Sequence, residues 1–85
     1  MKTSREICKY ISKLYIENRE AIPRDEMSLL ADLYTEVDWF FNGENYPKAF
    51  KEKISSVIKK RERIKPISQK GCELCIRIWE FMDEN

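Results

Sequence analysis

Four stretches of the chain place apolar residues three and four positions apart, which is the spacing of one face of an α-helix. They cover residues 4–18, 23–41, 47–62 and 68–83, with short breaks between them. Only 2 glycines and 3 prolines occur in 85 residues, and no stretch shows the two-residue alternation of a strand. Because short connections favour antiparallel neighbours, the sequence predicts one all-α domain over residues 1–85, an antiparallel up-down four-helix bundle.

Residues typical of helix ends lie at these breaks. Thr3 and Glu6 have the spacing of a capping box, in which the hydroxyl and the carboxylate satisfy free backbone amides. Ser68 is a good N-cap for the last helix, and Pro23 and Pro47 are predicted in the first turns of the second and third helices. Asn42-Gly43 is a plausible stop for the second helix.

The predicted core is one apolar stripe from each helix. The stripes are Ile7, Cys8, Ile11, Leu14, Tyr15 and Asn18; Met27, Leu30, Leu33, Tyr34, Val37, Phe40 and Phe41; Ala49, Phe50, Ile54, Val57 and Ile58; and Leu74, Cys75, Ile78, Phe81 and Met82. Trp39 is expected to be half-buried at the edge of this core or capped by the loop that contains Tyr46. The last helix has a second apolar face, Cys72, Ile76 and Trp79, which is either central in the core or intended for a partner.

The composition leaves little material for catalysis. The chain has no histidine, so it lacks the commonest general base and the commonest metal ligand. Asp32, Glu36 and Asp38 cluster late in the second helix, and they are predicted to form a solvated acidic face, because acid–base chemistry would need a cleft that desolvates one of them. We therefore expect no enzyme activity and no catalytic residues.

The pair Cys72 and Cys75 forms a C-x-x-C motif. A redox motif of this kind opens a helix after a strand, and a zinc site would need two further ligands, for which only Cys8 and carboxylates remain. Thiols packed in or near the core are the expected interpretation, with a metal or redox role as the alternative. No cofactor and no metal are predicted.

The charge is unevenly distributed along the chain. Residues 1–45 hold 6 Lys/Arg against 9 Asp/Glu, net −3, whereas residues 46–85 hold 10 against 6, net +4, which sums to +1. A dense basic run closes the third helix. Its members, Lys59, Lys60, Arg61, Arg63 and Lys65, are predicted to form either a solvated helix end, or a surface for a partner or a membrane, or a contact with nucleic acid.

No signal peptide opens the sequence, and its apolar runs are only a few residues long. With three cysteines, this pattern predicts a cytoplasmic protein with reduced thiols. In the last helix, Trp79 lies beside Ile76 and Arg77, and aromatic side chains of this kind are enriched at binding hot spots. These three residues are predicted to be the apolar anchor of a partner surface that has the basic run as its rim.

The second half of the chain resembles the immunity proteins for pediocin-like (class IIa) bacteriocins, the enterocin A immunity family. The similar stretch begins at Tyr46-Pro47-Lys48-Ala49-Phe50, continues through a third helix that ends in Lys59-Lys60, and ends with a helix opened by Ile67-Ser68. The first half is similar to the family only in its two amphipathic helices.

The resemblance implies a non-enzymatic protector of the producer cell. It implies recognition of the mannose phosphotransferase membrane components from the cytosolic side, at the inner face of the membrane, once the bacteriocin has engaged them. No nucleic acid is then expected. The chain is expected to be a monomer or a weak dimer, since the wide apolar face of the last helix leaves room for a dimer contact. The alternative is a small phage or plasmid regulatory protein that binds nucleic acid or inhibits a host protein.

Overall fold

The computed structural model describes residues 2–41 and 50–84, without the side chains of residues 40, 41 and 50. It contains four α-helices: α1 (Ser4–Asn18), α2 (Arg24–Phe41), α3 (Phe50–Ile64) and α4 (Gln69–Asp83). These bounds confirm the predicted all-α four-helix bundle. The helix starts predicted at Pro23 and Ser68 are each one residue early, and α3 continues two residues beyond the predicted end at residue 62.

Neighbouring helices run antiparallel, as contacts between opposite ends show. Arg61, near the end of α3, lies 3.7 Å from the carboxylate of Asp25 at the start of α2. Lys51 at the start of α3 forms an ion pair with Asp83 at the end of α4. The order of the helices in the chain is therefore also their order around the bundle.

The remaining neighbours, α1 and α4, close the bundle. The rings of Tyr10 and Phe81 stack with centroids 4.2 Å apart, and the ammonium of Lys2 lies 4.4 Å from the centre of the Phe81 ring. Lys2 is also 3.6 Å from Glu84, so the beginning of α1 meets the end of α4. Such cation–π and aromatic contacts add to the burial of apolar surface.

The predicted N-cap residues of the first and last helices accept hydrogen bonds, and the structure shows the hydroxyl half of the capping box predicted at Thr3 and Glu6. The backbone N–H of Glu6 donates to the Thr3 hydroxyl at 3.2 Å, and the backbone N–H of Gly71 donates to the Ser68 hydroxyl at 3.1 Å. The predicted stop at Asn42-Gly43 and the predicted restart at Pro47 lie outside the described residues.

The core is apolar and includes side chains from all four helices and from the loop after α1. Its members are Ile7, Cys8, Ile11, Leu14, Ile22, Met27, Leu29, Leu30, Leu33, Val37, Ile54, Leu74, Cys75, Ile78 and Met82. Most of them were predicted from the stripes. Ile22 and Leu29 were not, and the predicted Phe40, Phe41, Ala49 and Phe50 lie outside the described side chains.

Three expectations about large side chains are wrong. Trp39 is 80% exposed and is not packed at the edge of the core, and Tyr15 and Tyr34 are exposed at the outer margin of their stripes. The apolar face of a helix is wider than the part that a neighbouring helix covers, so residues at the margin of that face remain in contact with solvent. The acidic face is divided: Asp32 is exposed, whereas Glu36 is half-buried and 3.8 Å from Lys53 of α3.

Candidate partner-binding surface

An open groove of about 270 Å³ runs between α3 and α4. It is lined by Ile58, Glu62, Ile67, Cys72, Cys75, Ile76 and Trp79. The groove exists because α4 is apolar over a wide arc: one part of that arc, including Leu74 and Ile78, enters the core, and the neighbouring part faces α3. The chemistry of the groove is therefore mainly apolar, with one carboxylate in its wall.

Two of the three predicted anchor residues lie in this groove. Ile76 is 56% exposed, and Trp79 is half-buried, packing against the core while also lining the groove. The ammonium of Lys51 lies 4.8 Å from the centre of the Trp79 ring, a distance that gives a cation–π attraction. Trp79 thus packs against the core and also lines a groove that is open to solvent.

The third anchor residue, Arg77, does not line the groove. Successive residues of an α-helix are separated by about 100° around its axis, so Arg77 points away from the direction of Ile76. It is exposed to solvent. The structure therefore brings Ile76 and Trp79 together and leaves Arg77 outside their surface.

The five predicted rim residues divide into two groups. Arg61 and Lys65 both approach Asp25, at 3.7 Å and 2.8 Å. The Arg61 guanidinium also donates to the backbone carbonyl of Lys65 at 2.7 Å, and only 15% of its side chain is exposed. These two cations connect the end of α3 to the start of α2 and are engaged within the molecule.

The other three rim residues, Lys59, Lys60 and Arg63, are exposed and form no ion pair with any carboxylate in the described parts of the chain. Lys60 faces the groove of about 320 Å³ between α2 and α3. Lys59 and Arg63 are four residues apart, on one face of α3. They follow Ile58 and Glu62 by one position, about 100° around the axis of α3, so they lie on its exposed face next to the α3–α4 groove and do not line it.

The ion cluster at Asp25 has an electrostatic consequence. The hydrogen bond from Lys65 is the main cause that holds the pKa of Asp25 below its usual range, and the charges of Lys65 and Arg61 act in the same direction. Asp25 is therefore ionised at neutral pH, and the two cations nearest to it are partly neutralised. The cations of this region that no carboxylate in the described parts of the chain neutralises are Lys59, Lys60 and Arg63.

The three cysteines are free thiols, and burial raises the pKa of two of them. Burial raises the pKa of Cys75 to about 12, with the neighbouring Cys72 as the second cause. Burial, aided by the charge of Asp38, raises the pKa of Cys8 to about 11. With pKa values this high, the two thiols are almost entirely protonated at neutral pH. They therefore react slowly, because the thiolate is the reactive form.

A second groove, of about 350 Å³, lies on the outside of α1 and α2 and was not predicted from the sequence. Its lining is Ile11, Ser12, Tyr15, Ile16, Leu30, Ala31, Tyr34 and Thr35. Ile16 is 64% exposed. The available signal was that Ile16 is an apolar residue outside the stripe of its helix, next to a tyrosine at the margin of that stripe.

Within residues 2–41 and 50–84, no three metal-binding side chains lie close enough together to hold an ion. None of the described helices combines the length and the apolar character needed to cross a membrane. Comparisons with protein-family models, with curated protein sequences and with solved structures found no match.

Proposed function

We propose that this chain is an immunity protein that protects its cell from a pediocin-like bacteriocin. In this proposal it acts in the cytoplasm without catalysis, at the inner face of the membrane. It binds the mannose phosphotransferase membrane components once the bacteriocin has engaged them. The α3–α4 surface, defined as Ile76, Trp79, Lys59 and Arg63, makes the contact.

The observation that most supports this proposal is the α3–α4 groove. Ile76 is more than half exposed beside a half-buried tryptophan. On the exposed face of α3 next to the groove lie two basic side chains, Lys59 and Arg63, that no carboxylate in the described parts of the chain pairs with. Protein interfaces commonly combine an apolar centre with a polar rim, and aromatic residues are enriched among their energetic hot spots. Basic side chains beside such a groove also favour the anionic cytoplasmic surface of a membrane.

The all-α bundle is a second support, since it is the fold that the resemblance implies. The part of the chain with the resemblance contributes both walls of the groove, α3 and α4. The first half contributes Asp25, which binds two of the five predicted rim cations. We therefore assign Lys59 and Arg63 to the receptor contact, and Arg61 and Lys65 to stabilisation of the fold.

A protection assay tests the proposal directly. The protein is expressed in a sensitive Gram-positive indicator strain, which is then challenged with a panel of pediocin-like bacteriocins. Resistance to one or a few of the peptides is the expected result. Uniform sensitivity, with the protein shown to be soluble and present, would overturn the proposal.

Matched variants test the surface. Ile76→Lys is expected to abolish protection, and Ile64→Lys, at another exposed isoleucine on the α2 side of α3, is expected to retain it. Lys59→Ser combined with Arg63→Ser is expected to weaken protection without changing helicity. Equal protection by all of these variants would show that the α3–α4 surface is not the contact.

Nucleic-acid binding is a second candidate, favoured by Lys59, Lys60 and Arg63 near the end of α3, which form no ion pair within the parts of the chain that the structure describes. Binding to random duplex DNA at two salt concentrations separates it from receptor binding. An affinity that falls steeply with salt would indicate phosphate contacts, whereas absence of binding at low salt would remove this candidate.

A further inference from the structure

We propose that the groove between α1 and α2 binds a second copy of this chain, forming a weak symmetric dimer. This surface lies on the side of the bundle opposite the α3–α4 groove. The dimer is therefore independent of the proposed receptor contact and can be tested apart from it.

The apolar character of the groove is the first argument. Tyr15, Ile16 and Tyr34 are large side chains that remain exposed around one hollow of about 350 Å³. The hollow is open because Ser12 and Ala31, two small residues, contribute to its lining. Contiguous exposed apolar surface of this kind typically marks an interaction site.

The shape of this surface favours a second copy as the occupant. A two-fold interface uses the same patch on both molecules, so the patch must contain both a protrusion and a hollow that receives it. Ile16 supplies the protrusion, being 64% exposed at the margin of the hollow beside Ala31. Packing of such a side chain into a hole between two helices is the usual way that helices associate.

Charged side chains of both signs lie at the two ends of the groove. One end holds Arg5, Lys9 and Asp38, and the other holds Arg19, Glu20 and Arg24. None of these six side chains forms an ion pair within the described parts of the chain. Both signs of charge are thus available at each end of the groove.

We place the two-fold axis within the interface and parallel to the helices. Each residue then has the same position along the helix direction in both copies. This axis places α1 of one copy against α2 of the other. Arg5 then faces Asp38 of the second copy, Glu20 faces Arg24 of the second copy, and Ile16 faces the hollow beside Ala31. The net charge of +1 per chain does not oppose this association.

The size of the face sets the expected strength. Two helices of about 15 residues cover roughly 22 Å by 20 Å, or about 440 Å² on each copy. This is about half of the roughly 800 Å² that each partner commonly buries in a specific interface. We therefore expect a dimer that forms reversibly as the concentration rises, rather than an obligate one.

Sedimentation equilibrium of the full chain between about 10 µM and 500 µM tests the proposal, since this range covers the weak association of a small interface. A monomer–dimer equilibrium is expected. Ile16→Lys is expected to raise the dissociation constant at least about tenfold, the usual effect of losing an interface hot spot. Ile76→Lys, at a similarly exposed isoleucine on the other groove, is the control and should leave the constant unchanged.

Reversal of the charges at the proposed contacts between the two copies gives an independent test. Asp38→Arg is expected to weaken the dimer, and its combination with Arg5→Asp is expected to restore it, because each contact takes one residue from each copy. A chain that stays monomeric over the whole range would overturn the proposal. So would a dimer that is weakened by Ile76→Lys and not by Ile16→Lys.

Discussion

The carboxylate of Glu26 in α2 accepts two hydrogen bonds from Ser68, one from its backbone N–H at 2.8 Å and one from its hydroxyl at 2.9 Å. The Ser68 hydroxyl in turn accepts from the N–H of Gly71. In a capping box the third residue of the helix supplies the carboxylate, but in α4 that residue is Gly71. Glu26 supplies the missing group from across the bundle.

Replacement of Glu26 tests this tertiary cap. Glu26→Ala leaves two part-buried donors of Ser68 without their acceptor, and we expect a loss of about 1–3 kcal/mol in the free energy of unfolding. Glu26→Gln retains a carbonyl oxygen at the same place and is expected to lose less. Urea denaturation of the three proteins measures the difference, and equal losses for both variants would contradict the cap.

Gly71→Ala is predicted to destabilise the protein, opposite to the usual effect of this change. Within a helix alanine is ordinarily favoured over glycine by up to about 1 kcal/mol. Here an added Cβ would lie 2.7 Å from Cγ2 of Ile67 and would also meet the Glu26 carboxylate that Ser68 holds in place. The expected loss is about 1–3 kcal/mol, the common cost of overpacking.

Thermal unfolding followed by circular dichroism measures this effect. Gln69→Ala, at an exposed position in the same turn, is the matched control and should change the stability little. An increase in stability for Gly71→Ala would show that the space beside Glu26 is larger than described.

The Asp25 cluster predicts a pH dependence. The pKa of Asp25 is lowered mainly by the hydrogen bond from Lys65, so the folded state favours the ionised carboxylate. The resulting stabilisation is present above the ordinary carboxyl pKa and is lost as the pH falls through the lowered value. We expect Asp25→Asn to be less stable than the wild type near neutral pH.

The difference between the two proteins should shrink as the pH falls through the lowered pKa, because protonation of the wild-type carboxylate removes the stabilisation. Unfolding measured at neutral pH and at several acidic pH values gives the comparison. Because Asp25 is exposed, the difference near neutrality is expected to be small. A difference that persists unchanged in acid would assign the stabilisation to another cause.

The thiols predict an order of alkylation. Cys8 and Cys75 are buried with a raised pKa, whereas Cys72 is only half-buried and lines the α3–α4 groove. Since the accessible thiolate is the species that reacts, iodoacetamide at neutral pH should modify Cys72 first. Mass spectrometry of the folded protein gives the order, and denaturant should make all three react alike. Faster modification of Cys75 in the folded state would contradict the described packing of α4.

The candidate surface was only partly predictable. The sequence selected Ile76 and Trp79 correctly as neighbours on one side of α4, because residues three apart share a helix face. It grouped Arg61 and Lys65 with Lys59 and Arg63 because all are basic and close in the chain. It gave no indication that Asp25, which precedes Arg61 by 36 positions, engages the first two.

The sequence by itself determined the four helices, their caps at Thr3 and Ser68, and most of the core, because these depend on local hydrogen bonding and on helical periodicity. Only the tertiary structure decided that Glu26 is buried as the cap of α4, that Asp25 holds two cations, and that Tyr15 and Tyr34 border an open groove. The physical reason is that periodicity gives the direction of a side chain around its own helix. Which residues that side chain contacts depends on which helix packs alongside and on how the two helices are aligned along their axes.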